Sequence, residues 1–118
     1  MYSQKLLDYF QNPRNAGEVE NPDAAVQIEN PACGDVLRLS ARIDGDHIVA
    51  IRFRAKGCVP AMACGSALTE LVAGKSLQEA RQLTRETLIE SVGGVPEASS
   101  HAGHLAMDAL GALLKKLA

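Results

Sequence analysis

At 118 residues the chain is long enough to bury a core without disulfide staples and short enough that residues 1–118 are expected to form one domain. With 47% hydrophobic and 22% charged residues it has the make-up of a globular protein, and a net charge of −2 argues against a nucleic-acid binder. No apolar run approaches the ~20 residues of a membrane span and Met1-Tyr2-Ser3-Gln4-Lys5 lacks a signal-peptide pattern, so the expected compartment is the cytoplasm. In that setting three cysteines are ligands, nucleophiles or core residues sooner than a disulfide framework.

Ser3 is a reasonable N-cap for a short helix to residue 11, with Leu6, Leu7 and Phe10 as its apolar stripe and Asn12-Pro13 as its stop. Arg14 to Asp23 carries Gly17, Asn21 and Pro22 and reads as a loop; Val26 to Glu29 reads as a short edge strand ended by Asn30-Pro31. Residues 36 to 43 alternate, with Leu37, Leu39, Ala41 and Ile43 on one side. After the turn Asp44-Gly45-Asp46, residues 47 to 54 alternate again, with Val49, Ile51 and Phe53 apolar against Ala50, Arg52 and Arg54. Matching faces requires paired residue numbers to sum to an even value. A sum of 90 pairs Leu37 with Phe53, and 92 is the alternative; either brings Cys33 and Cys58 together at the open end of the hairpin.

Pro60 and Gly74 bracket a helix of roughly 14 residues, with Ala61, Cys64, Leu68, Leu71 and Val72 on one face. Ser76 caps a shorter helix containing Leu77, Ala80 and Leu83, and Glu79 completes a capping box. Thr84 opens another helix, which Val92-Gly93-Gly94-Val95-Pro96 ends. The last helix runs from about Ser100 to Leu117, its apolar arc comprising Ala102, Leu105, Ala106, Ala109, Leu110, Leu113 and Leu117. His104, Asp108 and Lys115 lie on the opposite arc, with His101 at the border. There is no internal repeat, low-complexity tract or second domain. The fold class is α+β: a small three-stranded antiparallel sheet with helices packed on one face.

Two thiols, a carboxylate and a histidine suggest a ligand set for zinc or iron. Cys58 stands at a helix N-terminus, where unpaired N–H groups favour a thiolate; a buried core cysteine is the ordinary alternative. Cys33 and Asp35 could equally be a small hydrophobe and a turn carboxylate, but convergence with Cys58 turns them toward function. Cys64 shares a face with Leu68 and Leu71 and reads first as core, with a reserve thiol as the second reading. His101, in the first turn of its helix, is the better ligand candidate; His104 reads as a solvated surface histidine. Spacing and pattern stop at a metal or reactive-thiol site.

Several stretches together carry a resemblance. Asn12-Pro13-Arg14-Asn15-Ala16-Gly17, Pro31-Ala32-Cys33-Gly34-Asp35 and Phe53-Arg54-Ala55-Lys56-Gly57-Cys58 resemble, in order, the hallmarks of IscU/NifU-type (NifU N-terminal-like) iron–sulfur cluster assembly scaffolds. Ser66-Ala67-Leu68-Thr69-Glu70 and Gly74-Lys75-Ser76-Leu77-Gln78-Glu79-Ala80 extend the match to nearly the whole chain. The resemblance implies that fold and a carrier role, not metabolic enzyme activity. A cysteine desulfurase would supply sulfur as persulfide, iron would enter, and a [2Fe–2S] cluster would pass to apo iron–sulfur proteins; zinc can hold the same site. It also implies Cys33, Asp35 and Cys58 as ligands and matches His101 to the family's histidine. Mixed oxygen, nitrogen and sulfur ligands suit a carrier that must release its cargo.

The chain departs from the pattern at Ala102, where the family usually places a third cysteine, also the expected persulfide acceptor. Cys58 or Cys33 would then receive the sulfur, or Cys64 or His104 would substitute as ligand, or the chain is a divergent metal-binding relative that no longer assembles clusters. Gly94-Val95-Pro96-Glu97 stands where a Leu-Pro-Pro-Val-Lys segment is usual, which counts against recruiting the specialised Hsp70/Hsp40 pair. The alternatives are a zinc-dependent sulfurtransferase of the SufU kind and a structural metal domain. Three good ligands per chain leave a [2Fe–2S] unit short, which gives a homodimer a reason to form.

Overall fold

The computed structural model describes residues 2–31 and 34–118. In chain order the elements are α1 (Gln4–Gln11), β1 (Ala24–Asn30), β2 (Asp35–Asp44), β3 (His47–Lys56), α2 (Val59–Val72), α3 (Leu77–Arg81), α4 (Arg85–Ser91) and α5 (His101–Leu117), with a 3₁₀ turn at Glu97–Ser99 before α5. The sequence places every one of these within two residues except the 3₁₀ turn. Its local signals are met: Ser3 accepts from the Leu6 N–H, Ser76 and Glu79 form a reciprocal capping box, and Thr84 accepts from the Thr87 N–H.

The strands form an antiparallel sheet in the order β1-β2-β3. Val26 opposes Leu39, which opposes Phe53, and Ala24, Ala41 and Ile51 form the next inward row. The helices cover this face with an aliphatic core, as the scarcity of aromatics requires. α2 is central to it. It is buried on nearly every side rather than along a single stripe, because the sheet, α1, α4 and α5 all pack around it. A Cβ at Gly65 would come within 3.0 Å of Leu37 and Phe53 side-chain carbons, so the missing side chain is what lets α2 sit this close to the sheet.

The hairpin shows a conflict that alternation alone does not reveal. Along most of its length the paired numbers sum to 92, the second of the two registers allowed by the pattern. At the turn, however, Asp44 pairs with His47 and Ile43 with Ile48, a sum of 91. A two-residue turn imposes the odd sum, and the core-facing pattern imposes the even one. A β-bulge opposite Arg42/Ile43 reconciles them by leaving one extra residue, Val49, in β3. The expectation that Val49 faces the core is therefore corrected: Ile48 is 0% exposed and Val49 56%.

The free edge of β3 is covered rather than bare. The Phe53 N–H donates to the Asn15 carbonyl and the Gly17 N–H to the Phe53 carbonyl, while Ile48 exchanges the same kind of bonds with Lys75 and Gly74. The segment expected to be a plain loop after Arg14 is thus a short companion to β3. Among the described residues, no helix is long and apolar enough to cross a membrane.

Two measurements check this packing. Ile48→Ala should cost about 2–4 kcal/mol in urea unfolding, and Val49→Ala about 0.5 kcal/mol or less. Cys64 is fully buried, and burial, then the neighbouring Cys58, pushes its thiol up to about 12. A thiol that resists ionisation when folded but ionises normally when unfolded lowers stability as pH rises. Relative to Cys64→Ala, the wild type should lose about 1 kcal/mol per pH unit above pH ~9.

Candidate metal centre

The starts of β2, α2 and α5 meet at one corner of the fold, and each contributes one side chain. Asp35 opens β2 on its inward face, so its carboxylate points under the helices and is only 2% exposed. Gly57, just beyond β3, lies across from it. A Cβ there would come to 2.0 Å from Asp35 Oδ1, and the backbone has φ 138°, outside the range most side chains adopt. Glycine alone permits this approach, and it brings the Cys58 N–H to 3.0 Å from Asp35 Oδ1. The buried carboxylate thereby fixes the N-cap residue of α2, which makes no side-chain cap of its own.

The Cys58 thiol reaches Asp35 Oδ2 at 3.2 Å. His101, the first residue of α5, brings Nε2 to 3.1 Å from the same oxygen and 3.7 Å from Cys58 Sγ. Tetrahedral zinc with ligand bonds of about 2.0–2.3 Å would space a sulfur, a nitrogen and an oxygen about 3.4–3.6 Å apart. The observed triangle is within a few tenths of an ångström of that spacing. Its connectivity is not that of a nucleophile–histidine–carboxylate relay, which uses both ring nitrogens in series. Here thiol and carboxylate converge on one nitrogen. Among the described residues this is the one group of three or more such side chains close enough to hold a metal ion.

In the geometry seen the Cys58 thiol donates to Asp35 Oδ2. A divalent ion would replace that proton and neutralise both donors.

Of the residues singled out from sequence, Asp35, Cys58 and His101 are brought together. Cys33 lies outside the described residues. Cys64 is a core residue of α2 itself, and His104 is exposed one turn along α5, so neither contributes to the triangle. Ala102 is buried in the core.

The motif stretches lacking ligands have a mechanical use that sequence reasoning missed. The Arg14 N–H donates to Ser66 Oγ, Thr69 Oγ1 donates to the carbonyls of Ser66 and Arg14, and Asn15 Nδ2 donates to Thr69 Oγ1. Arg14 also lies over the Tyr9 ring and pairs with Asp8 and Glu70, while the Tyr9 hydroxyl donates to Glu70. Together these bonds clamp α2 to α1 and to the β3 edge, and so hold Cys58 in place. Polar residues at Ser66 and Thr69 inside an apolar helix were the available signal.

The family model for the NifU-like N terminal domain matches residues 1–117. The chain is 41% identical over 110 residues to the iron–sulfur cluster assembly scaffold protein IscU 1 of Archaeoglobus fulgidus, covering 93% of this chain and 72% of that one. It is 38% identical over 117 residues to the scaffold protein IscU of Escherichia coli, covering 96% and 91%. Among solved structures, a nitrogen-fixing NifU-like protein (N-terminal part) from Brucella abortus superposes with a TM-score of 0.79 at 17% identity, covering 97% of this chain and 92% of that one. That likeness bears on the fold alone and agrees with the sheet and helix arrangement described above. The matched family model, together with relatives of this identity, establishes that the chain belongs to the NifU-like N terminal domain family.

Proposed function

We propose that this protein is an iron–sulfur cluster assembly scaffold: a single-domain carrier, not a metabolic enzyme, that holds iron or a transient [2Fe–2S] cluster and passes it to apo-proteins. The observation that carries this reading is the Asp35–Cys58–His101 triangle, three different donor atoms already spaced as ligands of a single ion. Family membership supports it, since the curated relatives described above are scaffold proteins. Cys33 is the proposed fourth ligand. Zinc fits the same donors. Sulfur would come from a cysteine desulfurase acting in the cytoplasm.

In this reading Cys58 supplies the thiolate, Asp35 a hard oxygen and a hydrogen-bond anchor for the start of α2, and His101 a neutral nitrogen. With Ala102 in place of a third cysteine, a [2Fe–2S] cargo has few thiolates to hold it, and a second chain is the proposed source of the rest. Cys64 enters only if α2 opens, because its thiol is buried and pushed up to about 12.

Anaerobic loading with ferrous iron and sulfide should give a visible chromophore with acid-labile sulfide, lost in Cys58→Ser and in His101→Ala. Zinc affinity measured by titration should fall about 100-fold in each. A persulfide adduct turned over catalytically, with no chromophore on adding iron, would favour the sulfurtransferase reading instead. Gly57→Ala tests the anchoring: it should destabilise the fold by about 1–3 kcal/mol and weaken zinc binding about 10- to 100-fold. Chelation should leave the far-ultraviolet circular dichroism intact, because the aliphatic core forms without metal; unfolding on chelation would mark a structural metal domain.

A further inference from the structure

Among the described residues three glycines stand inside helices, and the packing of the fold accounts for two of them. A Cβ on Gly65 of α2 would press on Leu37 and Phe53, and one on Gly103 of α5 would come within 2.8 Å of Ile89 Cδ1 and 3.2 Å of Arg85 Cγ. Gly111, about two turns further along α5, is different. It is exposed, and a Cβ there would meet no atom within 4 Å. Glycine inside a helix is unfavourable relative to alanine, because its backbone loses more freedom on ordering. No close contact within the protein offsets that loss at Gly111.

Gly111 lines a groove of about 340 Å³ between α3 and α5. Its floor is apolar, formed by Ala80 of α3, Leu83 just after that helix, and Met107, Leu110 and Leu114 of α5. Two cations complete the lining, Arg81 at the last position of α3 and Lys115 one turn beyond Gly111. Both are exposed, and among the described residues neither pairs with a carboxylate, that of Ala118 included. No acidic side chain lines the groove.

We propose that this groove binds a medium-chain carboxylate, its alkyl chain lying along Leu83, Met107, Leu110 and Leu114 and its head group meeting Arg81 and Lys115. Ligand sites are concave and mostly apolar, with a few polar groups that fix orientation, and this volume is at the small end of their range. The apolar floor selects an alkyl chain over a sugar or nucleotide, and the two unpaired cations select an anionic head over a neutral one. The bare backbone at Gly111 leaves room for the chain, where a larger side chain would stand in its way. The groove is separate from the metal corner. Leu110 lies nine residues along α5 from His101, about 14 Å of helix, and none of the lining residues is a proposed metal ligand. The inference goes beyond the scaffold reading, and the two fail separately.

The probe is decanoate, kept below the concentration at which it self-associates, titrated into the isotopically labelled protein and followed by amide NMR shifts. Saturable shifts should gather on Ala80 to Leu83 and on α5 from Met107 onward. Octanoate, two methylenes shorter, should bind about tenfold more weakly, and decanol, which lacks the charge, about tenfold more weakly as well. Arg81→Gln and Lys115→Gln should each lower the affinity about threefold. Gly111→Leu should abolish binding while unfolding at the same or higher temperature, since leucine is the better helix former, and it should keep wild-type zinc affinity. Absence of saturable shifts, equal affinity for decanol, or undiminished binding by Gly111→Leu would each overturn the proposal. A dimer in sedimentation that Gly111→Leu dissociates would also overturn it, because a second copy would then occupy the groove. So would binding to phosphatidylglycerol vesicles without binding of free decanoate.

Discussion

A carboxylate taken almost wholly out of water has to be met by donors, and Asp35 is met by the backbone of the next helix. That contact, Cys58 N–H to Asp35 Oδ1, joins the sheet to α2 and fixes where the thiol points. Much else in the structure serves it. The hairpin register sets Gly57 opposite Asp35, the absent side chain at Gly57 allows the approach, and the Arg14–Ser66–Thr69 bonds keep α2 from sliding away. A methyl group at Gly57 would occupy the space of the carboxylate itself. The site is therefore a property of the strand–helix junction and not of three independently placed side chains.

The same junction depends on how the hairpin settles a conflict of parity. A two-residue turn and a strand pair with one buried face cannot both be satisfied by regular pairing when the pattern asks for an even sum. The bulge at Val49 absorbs the mismatch close to the turn, so pairing from Arg42 and Ala50 onward stays regular up to Val36 and Lys56, next to Asp35 and Gly57. Had the odd sum been carried along the hairpin, Arg52 and Arg54 would have opposed Leu39 and Leu37 and shared their buried face.

Much of this was legible in the chain. Caps, the proline at the start of α2 and alternation located the elements, because those signals depend on a few adjacent residues. The α+β fold with three antiparallel strands followed from them. Register arithmetic brought Cys33 and Cys58 together at the open end of the hairpin for either of the two sums considered. Cys33 lies outside the described residues, and Asp35, two positions on, does meet Cys58 there. What was not legible depends on contacts between distant segments. Val49 and Ile48 are equally apolar, and only the turn geometry decides which is inside. α2 reads as one-sided when its neighbours are unknown. The pairing of Asn15 and Gly17 with Phe53 joins residues almost forty positions apart and leaves no local periodicity. His101 was placed at the border of its helix by angle alone, and its approach to Asp35 needed the packing of α5.

The three donors are not held with equal firmness, and the difference bears on what the corner can do. Asp35 is embedded in the sheet, and Cys58 is tied to it through the backbone of α2. His101 stands at the start of a helix whose N-cap, Ser100, makes no side-chain cap, unlike Ser3, Ser76 and Thr84 at α1, α3 and α4. Uncapped first turns open at lower free energy than capped ones, by about 1 kcal/mol. Its ring is also 31% exposed, against 3% for the Asp35 side chain. Of the three, the imidazole is thus the group nearest solvent. Ala102 and Gly103 of the same turn are buried, however, so rotation of the His101 side chain, and not fraying of α5, is the movement that would leave the sheet and α2 intact.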